Sequence, residues 1–285
     1  MNRFRAGVVS LVAVLCAAAP VAAQQRPLVT EDPEVVGAGM VLVEGGFDYS
    51  HDILYPTSGL QGNLLRLPLI GVSVGLSSIA ELQIDGGFYN KLSIAHTGVG
   101  PAPLAGMVNV TGTSTHDVED IVVGTKIRIA AETPGRPGFG IRFATRLPNA
   151  GNESGLGLDT TDFHADVLVG KTSKSIRIVG NVGLGILGDP TRGDNQNDVL
   201  DYGISLARAV KEGVEVVGEI NGRASTRGGT PPVGTEARGM MRVGGRITRG
   251  TVRLDAGLLI GMTSRDPSFG FTAGATYVFK GFDVK

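Results

Sequence analysis

The sequence predicts an all-β fold, a transmembrane antiparallel up-and-down β-barrel of about twelve strands with short periplasmic turns and long outer loops. Three observations predict it. Segments with apolar side chains at every second position recur along the chain, the connections between them alternate between short and long, and an apolar leader marks the chain for export. Side chains alternate faces in this way only on a β-strand.

The leader comes first in the chain. Arg3 and Arg5 precede an apolar run over 6–19, then Pro20 and Val21-Ala22-Ala23, which reads as a secretory signal peptide over 1–23 cleaved after Ala23. The run is too short for a membrane helix, and no later stretch approaches ~18 consecutive apolar residues. Cys16, the single cysteine, lies inside the leader, and Leu15 before it stands where a lipid-carrying signal needs a small residue. Residues 24–285 therefore carry no disulfide and no lipid, so they need a large core or a large membrane contact for stability. Without Arg3 and Arg5 the charges are 24 basic against 27 acidic, or −3. That balance points away from a nucleic-acid partner.

Residues 24–38 hold prolines and mixed charge ahead of the first strand, and suit either a plug folded into the barrel or a periplasmic segment. Alternating segments then follow at about 39–50, 63–74, 79–89, 119–131, 139–147, 161–170, 176–187, 199–208, 214–223, 236–247, 251–263 and 268–279. Connections at 75–78, 132–138, 171–175, 209–213 and 248–250 are short. Those at 51–62, 90–118, 148–160, 188–198 and 224–235 are longer, and the sixth, at 264–267, is brief. Short turns on one side and longer loops on the other are the pattern of outer-membrane barrels. Gly, at 44 of 285 residues, is about twice the usual share and sits mostly inside the strands, where it suits a curved wall.

The hairpin over 120–147 shows how the faces divide. Ile121, Val123, Ile127, Ile129, Phe139, Ile141 and Phe143 share one face, whereas Lys126, Arg128, Arg142 and Arg146 share the other. A soluble sandwich also alternates, so charge placement has to decide. If sequential strands are neighbours, Glu81 and Asp85 lie beside Lys126 and Arg128. In the same way Arg142 and Arg146 lie beside Asp162 and Asp166, and Glu215 and Glu219 beside Arg238, Arg242 and Arg246. Together with His164, Arg177, Arg253 and Asp255 these residues are the expected lining of a hydrated lumen, with the apolar side turned to lipid. Aromatics near strand ends (Phe47, Tyr49, Phe88, Phe139, Phe163, Tyr202, Phe269, Tyr277 and Phe279) would form thin interfacial girdles. In the last strand Thr272, Gly274, Tyr277 and Phe279 have the spacing of the signal read by the barrel-assembly machinery, although six residues follow it.

Several segments resemble, in their order, the outer-membrane family named for the meta-pathway of phenol degradation. They are Arg26-Pro27-Leu28-Val29-Thr30-Glu31-Asp32, Asp120-Ile121-Val122-Val123-Gly124-Thr125-Lys126, Arg146-Leu147-Pro148, Gly155-Leu156-Gly157 leading to Thr161-Asp162-Phe163, and Tyr277-Val278-Phe279. The resemblance implies a transporter-like barrel in the bacterial outer membrane and passage of small apolar or aromatic compounds.

Catalytic chemistry is not expected. His51, His96 and His116 fall in predicted outer loops, and His164, between Asp162 and Asp166 on one face, has no neighbouring His-x-Ser of a barrel phospholipase. The acidic loop with Asp189, Asp194, Asn195, Asn197 and Asp198 reads as a solvated turn, and no cofactor or metal set is present. A twelve-stranded barrel has a narrow lumen, and a lining of both signs suits small solutes without strong charge selection. The expected partners are therefore the outer-membrane bilayer and a small-molecule solute. The alternative is a non-conducting barrel that acts through its outer loops.

Overall fold

The computed structural model describes residues 26–284; the signal-peptide expectation falls outside them. Its strands are β1 (Met40–Tyr55), β2 (Leu60–Gly75), β3 (Ala80–Gly87), β4 (Asn90–His96), β5 (Ser114–Asp117), β6 (Val122–Ala130), β7 (Gly138–Arg146), β8 (Asp162–Ser173), β9 (Ile176–Gly188), β10 (Gln196–Lys211), β11 (Val214–Ser225), β12 (Arg238–Arg249), β13 (Val252–Gly261) and β14 (Phe269–Lys280). Each of β6 to β14 pairs antiparallel with the next, and β1 pairs with both β14 and β2, so the sheet closes on itself.

Fourteen segments make twelve staves. The inner half of β2 pairs with β3 and its outer half with β4. Likewise β6 pairs with β3 while β5 pairs with β4. Thus β3 and β4 are one stave broken at Phe88 and Tyr89, and β5 and β6 are another broken over 118–121. The expected long loop over 90–118 is in this respect corrected, because its two ends continue the wall. His51, His96 and His116 likewise stand on strands β1, β4 and β5 rather than in loops. The polar run of the β4–β5 hairpin hides this, since strands that rise past the lipid lose the apolar signal of their lower halves.

The faces are inverted relative to a soluble protein. Ile84, Ile129, Phe143, Phe163, Val182, Leu184, Ile204, Leu254 and Leu258 are exposed on the outside, while Glu81, Lys126, Asp162, Glu219, Arg246, Arg253 and Asp255 are buried within. An exterior of this composition is a surface for hydrocarbon, and charges inside keep water and one another as partners. Of the expected girdle residues, Phe139, Tyr277 and Phe279 are exposed toward the end that holds the short turns. Phe163 and Phe269 are exposed toward the other end.

Ion pairing follows the strand register. Glu81 faces Lys126 across β3–β6, Arg146 faces Asp162 across β7–β8, and Glu215 and Glu219 face Arg246 and Arg242 across β11–β12. The Nζ of Lys126 is 3.0 Å from Glu81, and Arg242 is 2.9 Å from Glu219. Two of the expected placements, those of Asp85 and Arg238, are corrected. Asp85 stands opposite Val122 rather than Arg128, because four residues separate it from Glu81 and carry it to the other end of β6. Arg142 faces Asp166 in register as expected, and its guanidinium turns to Glu31, 3.2 Å away. Arg238 faces Arg223 and finds Asp266 instead.

Candidate functional site

The lumen is crossed by the segment that precedes β1. Arg26 starts mid-barrel and the chain then passes along the wall strands before leaving at Gly37 to Gly39 as β1 begins. Almost every residue of this plug is tied to the wall. The amides of Val29 and Thr30 donate to Glu219 on β11, at 2.9–3.1 Å. The Glu31 amide donates to Asn181 on β9 at 2.6 Å, and the Asn181 amide group returns a bond to the Glu31 carbonyl at 2.7 Å. The Val36 amide donates to Glu81 at 2.7 Å. Two wall carboxylates and one carboxamide thus satisfy backbone donors that would otherwise be stranded away from bulk water.

The acidic run Glu31-Asp32-Pro33-Glu34 meets a basic stripe on β6, β7 and β9. Glu31 contacts Lys126 at 3.3 Å and Arg142 at 3.2 Å, Asp32 contacts Arg177, and Glu34 contacts Arg128. Lys126 is fully buried between Glu31 and Glu81. Small apolar clusters close the gaps. Leu28 packs with Ala207 and Val217, and Val36 with Leu42 and Val278.

At the head of the plug the guanidinium of Arg26 sits in a slot made by two glycines opposite each other in register, Gly46 on β1 and Gly274 on β14. A Cβ on either would lie 2.4 Å from a guanidinium nitrogen. Arg26 donates to the Thr272 hydroxyl at 2.9 Å and the Ala273 carbonyl at 3.0 Å, with Asp255 3.5 Å away. Thr272 and Gly274, two of the four residues with assembly-signal spacing, therefore face the lumen and hold the plug. Tyr277 and Phe279 face outward.

Beyond the plug lies a cavity of about 510 Å³, and next to it, toward the long loops, one of about 370 Å³ that shares Arg66, Arg146 and Arg242 with it. The larger is lined by the carboxylates of Glu31, Glu44, Asp48, Asp85, Glu119, Asp120, Asp166 and Asp201, eight in all, against the five guanidinium groups of Arg26, Arg66, Arg142, Arg146 and Arg242. Most are cross-linked. Arg66 bridges Asp48 at 2.7 Å and Glu119 at 3.0 Å, and Arg146 bridges Asp120 and Asp162. Asp85 and Asp166 make no ion pair with a described residue.

Of the remaining residues expected in the lining, Arg128 and Arg177 sit against the plug. Glu215, Arg246 and Arg253 form a cluster at the base of the wall, with Arg246 2.7 Å from Glu215. Nδ1 of His164 lies 2.7 Å from Asp201, and no Ser or Thr hydroxyl bonds to the ring among the described residues. In the acidic loop, Asp189 accepts from the Thr191 amide and hydroxyl and from Asn195, which together hold its carboxyl below the usual range against the effect of burial. Sequence reasoning did not single out Glu44, Asp48, Arg66, Glu119, Asn181 or Asp201. The partner of Asn181 lies on the plug, Glu119 sits on a broken stave and Asp201 reaches His164 two strands away, so pairing charges between sequential strands passes over these three.

The long loops close over the outer cavity. The Ser58 hydroxyl donates to the Gly155 carbonyl at 2.7 Å, and the Leu104 amide to the Thr57 carbonyl at 2.9 Å. Leu60, Leu64 and Leu92 form an apolar cluster beneath, with Val108 and Leu156 packed on it.

No protein-family profile matches the chain, and no curated protein matches its sequence. Among solved structures it is similar to an outer membrane channel from Pseudomonas putida F1, with a TM-score of 0.60 at 12% identity over 87% of this chain and 98% of that one. The NanC porin follows at TM-score 0.49 and 7% identity, over 83% of this chain and 98% of that one. The outer membrane channel DcaP of Acinetobacter baumannii stands at 0.43 and 11%, over 84% and 96%. The first likeness is one of fold, and by it the chain is a closed twelve-stranded barrel of the outer-membrane type.

Proposed function

We propose that the chain is an outer-membrane channel for small molecules whose passage is limited by the segment over 26–38. The observation that carries this reading is the 510 Å³ polar cavity bounded on one side by the plug and continuous in its lining with a second cavity under the outer loops. Eight lining carboxylates against five guanidinium groups favour cations and zwitterions modestly over anions. The sequence resemblance suggests apolar or aromatic solutes, and an amphiphile with a cationic head would satisfy both.

The plug is held to the wall by side-chain hydrogen bonds, ion pairs and small apolar contacts rather than by strand pairing, so it can be tested apart from the strand ladder. Purified protein in a planar bilayer gives small unitary currents. Gly274→Val, which fills the Arg26 slot, and a deletion of residues 26–34 each raise the conductance while the protein keeps its heat-modifiable mobility on gels. A silent bilayer for the wild type and both variants would end the channel reading and favour a barrel that works through its outer loops.

A further inference from the structure

Register fixes which side chains stand side by side on the outer surface of β14, β1, β2, β4 and β5. One exterior row runs Phe271, Tyr49, Leu65, Lys91, His116. Below it, toward the membrane centre, Leu67 and Phe88 are exposed, Phe88 at 65%. Above it stand Asn63, Ser93 and Ser114, also in register. On β14 and β1 the upper row continues with Phe269 packed on His51, so it is at β4 and β5 that the row with Lys91 marks the edge of the apolar band, with hydrocarbon side chains below and hydrogen-bonding ones above.

At this edge Lys91 and His116 face each other across β4–β5, and the His116 ring leans on Tyr89 with centroids 5.5 Å apart. Both are exposed, and neither makes an ion pair or a side-chain polar contact with a described residue. The adjacent carboxylate, Asp117, turns inward and accepts from the Gly151 amide at 3.0 Å and the Val118 amide at 2.7 Å. A lysine on a lipid-facing wall carries a cost that falls to about 0–1 kcal/mol near the interface, where its ammonium reaches the headgroups. What stands at that depth is the phosphate of a lipid.

We infer that Lys91, His116, Ser93 and Ser114 form an external site for the phosphate of an outer-leaflet lipid headgroup. The ammonium supplies the charge, the imidazole and the two hydroxyls supply further hydrogen-bond donors, and Tyr89 and Phe88 pack on the acyl chains below. The assignment to the outer leaflet rests on the expected orientation, with the short turns in the periplasm and the long loops outside.

The test uses full-length protein in nanodiscs of phosphatidylcholine doped with lipid A, with bound lipid counted by native mass spectrometry. Wild type retains lipid A and loses it when the lipid phosphates are removed enzymatically. Lys91→Glu lowers retention about tenfold, the scale of one charge-assisted hydrogen bond. Lys91→Gln does so less steeply and serves if the Glu variant fails to fold. Arg208→Glu removes an exposed exterior cation at the opposite end, on β10, and leaves retention unchanged. Equal retention by Lys91→Gln and wild type overturns the site, as does an equal loss in Arg208→Glu. Displacement of lipid A by equimolar inorganic phosphate would mean a free-anion site and overturns it too. Because Lys91 lies outside the lumen, conductance of the same preparations stays at the wild-type level, so the channel reading and the lipid site fail separately.

Discussion

At the scale of single residues, the side chain under the greatest constraint is Lys126. It is fully buried with Glu31 at 3.3 Å and Glu81 at 3.0 Å, and Glu81 also holds the Val36 amide. Removing one member of a buried ionic group strands the others, at about 3–5 kcal/mol. Lys126→Ala is therefore expected to lower the temperature at which the folded band disappears on a gel, and Lys126→Met combined with Glu81→Gln to recover much of the loss. If the single variant melts like wild type, the Lys126 pairs contribute nothing to stability. Glu132, in the short turn between β7 and β6, offers a second test. Partial burial opposes its ionisation, but the Thr172 amide and Arg177 prevail and hold its carboxyl below its ordinary value of 4.5. A carboxylate with a depressed folded value contributes stability that is present above the ordinary value and lost as pH falls through the folded one. Amide exchange at Thr172, corrected for its intrinsic pH dependence, should quicken in acid below that point, and Glu132→Gln should show the same loosening at neutral pH.

At the scale of elements, alternation carried the wall well. All twelve segments correspond to staves, and the hairpin of β6 and β7 has its lysine and arginines inside and Ile129, Phe139 and Phe143 exposed outside. Ile127 pairs with Ile141 on that outer face. Ile127→Arg is expected to cost about 2–4 kcal/mol if the site lies near mid-membrane. The measurement is denaturant-dependent folding into lipid vesicles, and a value near zero would place this face in water. Other elements escaped the sequence. β4 and β5 are short: in Asn90–His96 only Leu92 and Ile94 alternate with Lys91 and Ser93, and Ser114–Asp117 is all polar, so neither segment is long or apolar enough to betray a strand. The plug escaped for a different reason. Glu31, Asp32 and Glu34 look like solvated charges in isolation, and their partners on β6, β7 and β9 lie about a hundred residues away or more.

At the scale of the whole molecule, closure and charge are two sides of one arrangement. Closing the sheet through β1 leaves no edge, and turning apolar side chains outward collects the charges in a small interior where opposite signs meet by register. Pair identity was legible wherever neighbouring strands supply both partners, as with Glu215 and Arg246. It was not legible where the plug supplies one of them, as with Arg142 and Arg177. The plug also bears on the order of events in the life of the chain. Arg26 bonds to Thr272 and Ala273, at sequence separations of 246 and 247, while both walls of its slot come from the first and last strands. That slot comes into being only when β14 zips against β1, so the head of the plug at Arg26 can lock in place only after the sheet has closed, whereas the ties of Glu31, Asp32 and Glu34 to β6, β7 and β9 do not wait for it. The joint between the first and last strands is thereby latched from inside by a residue that belongs to neither.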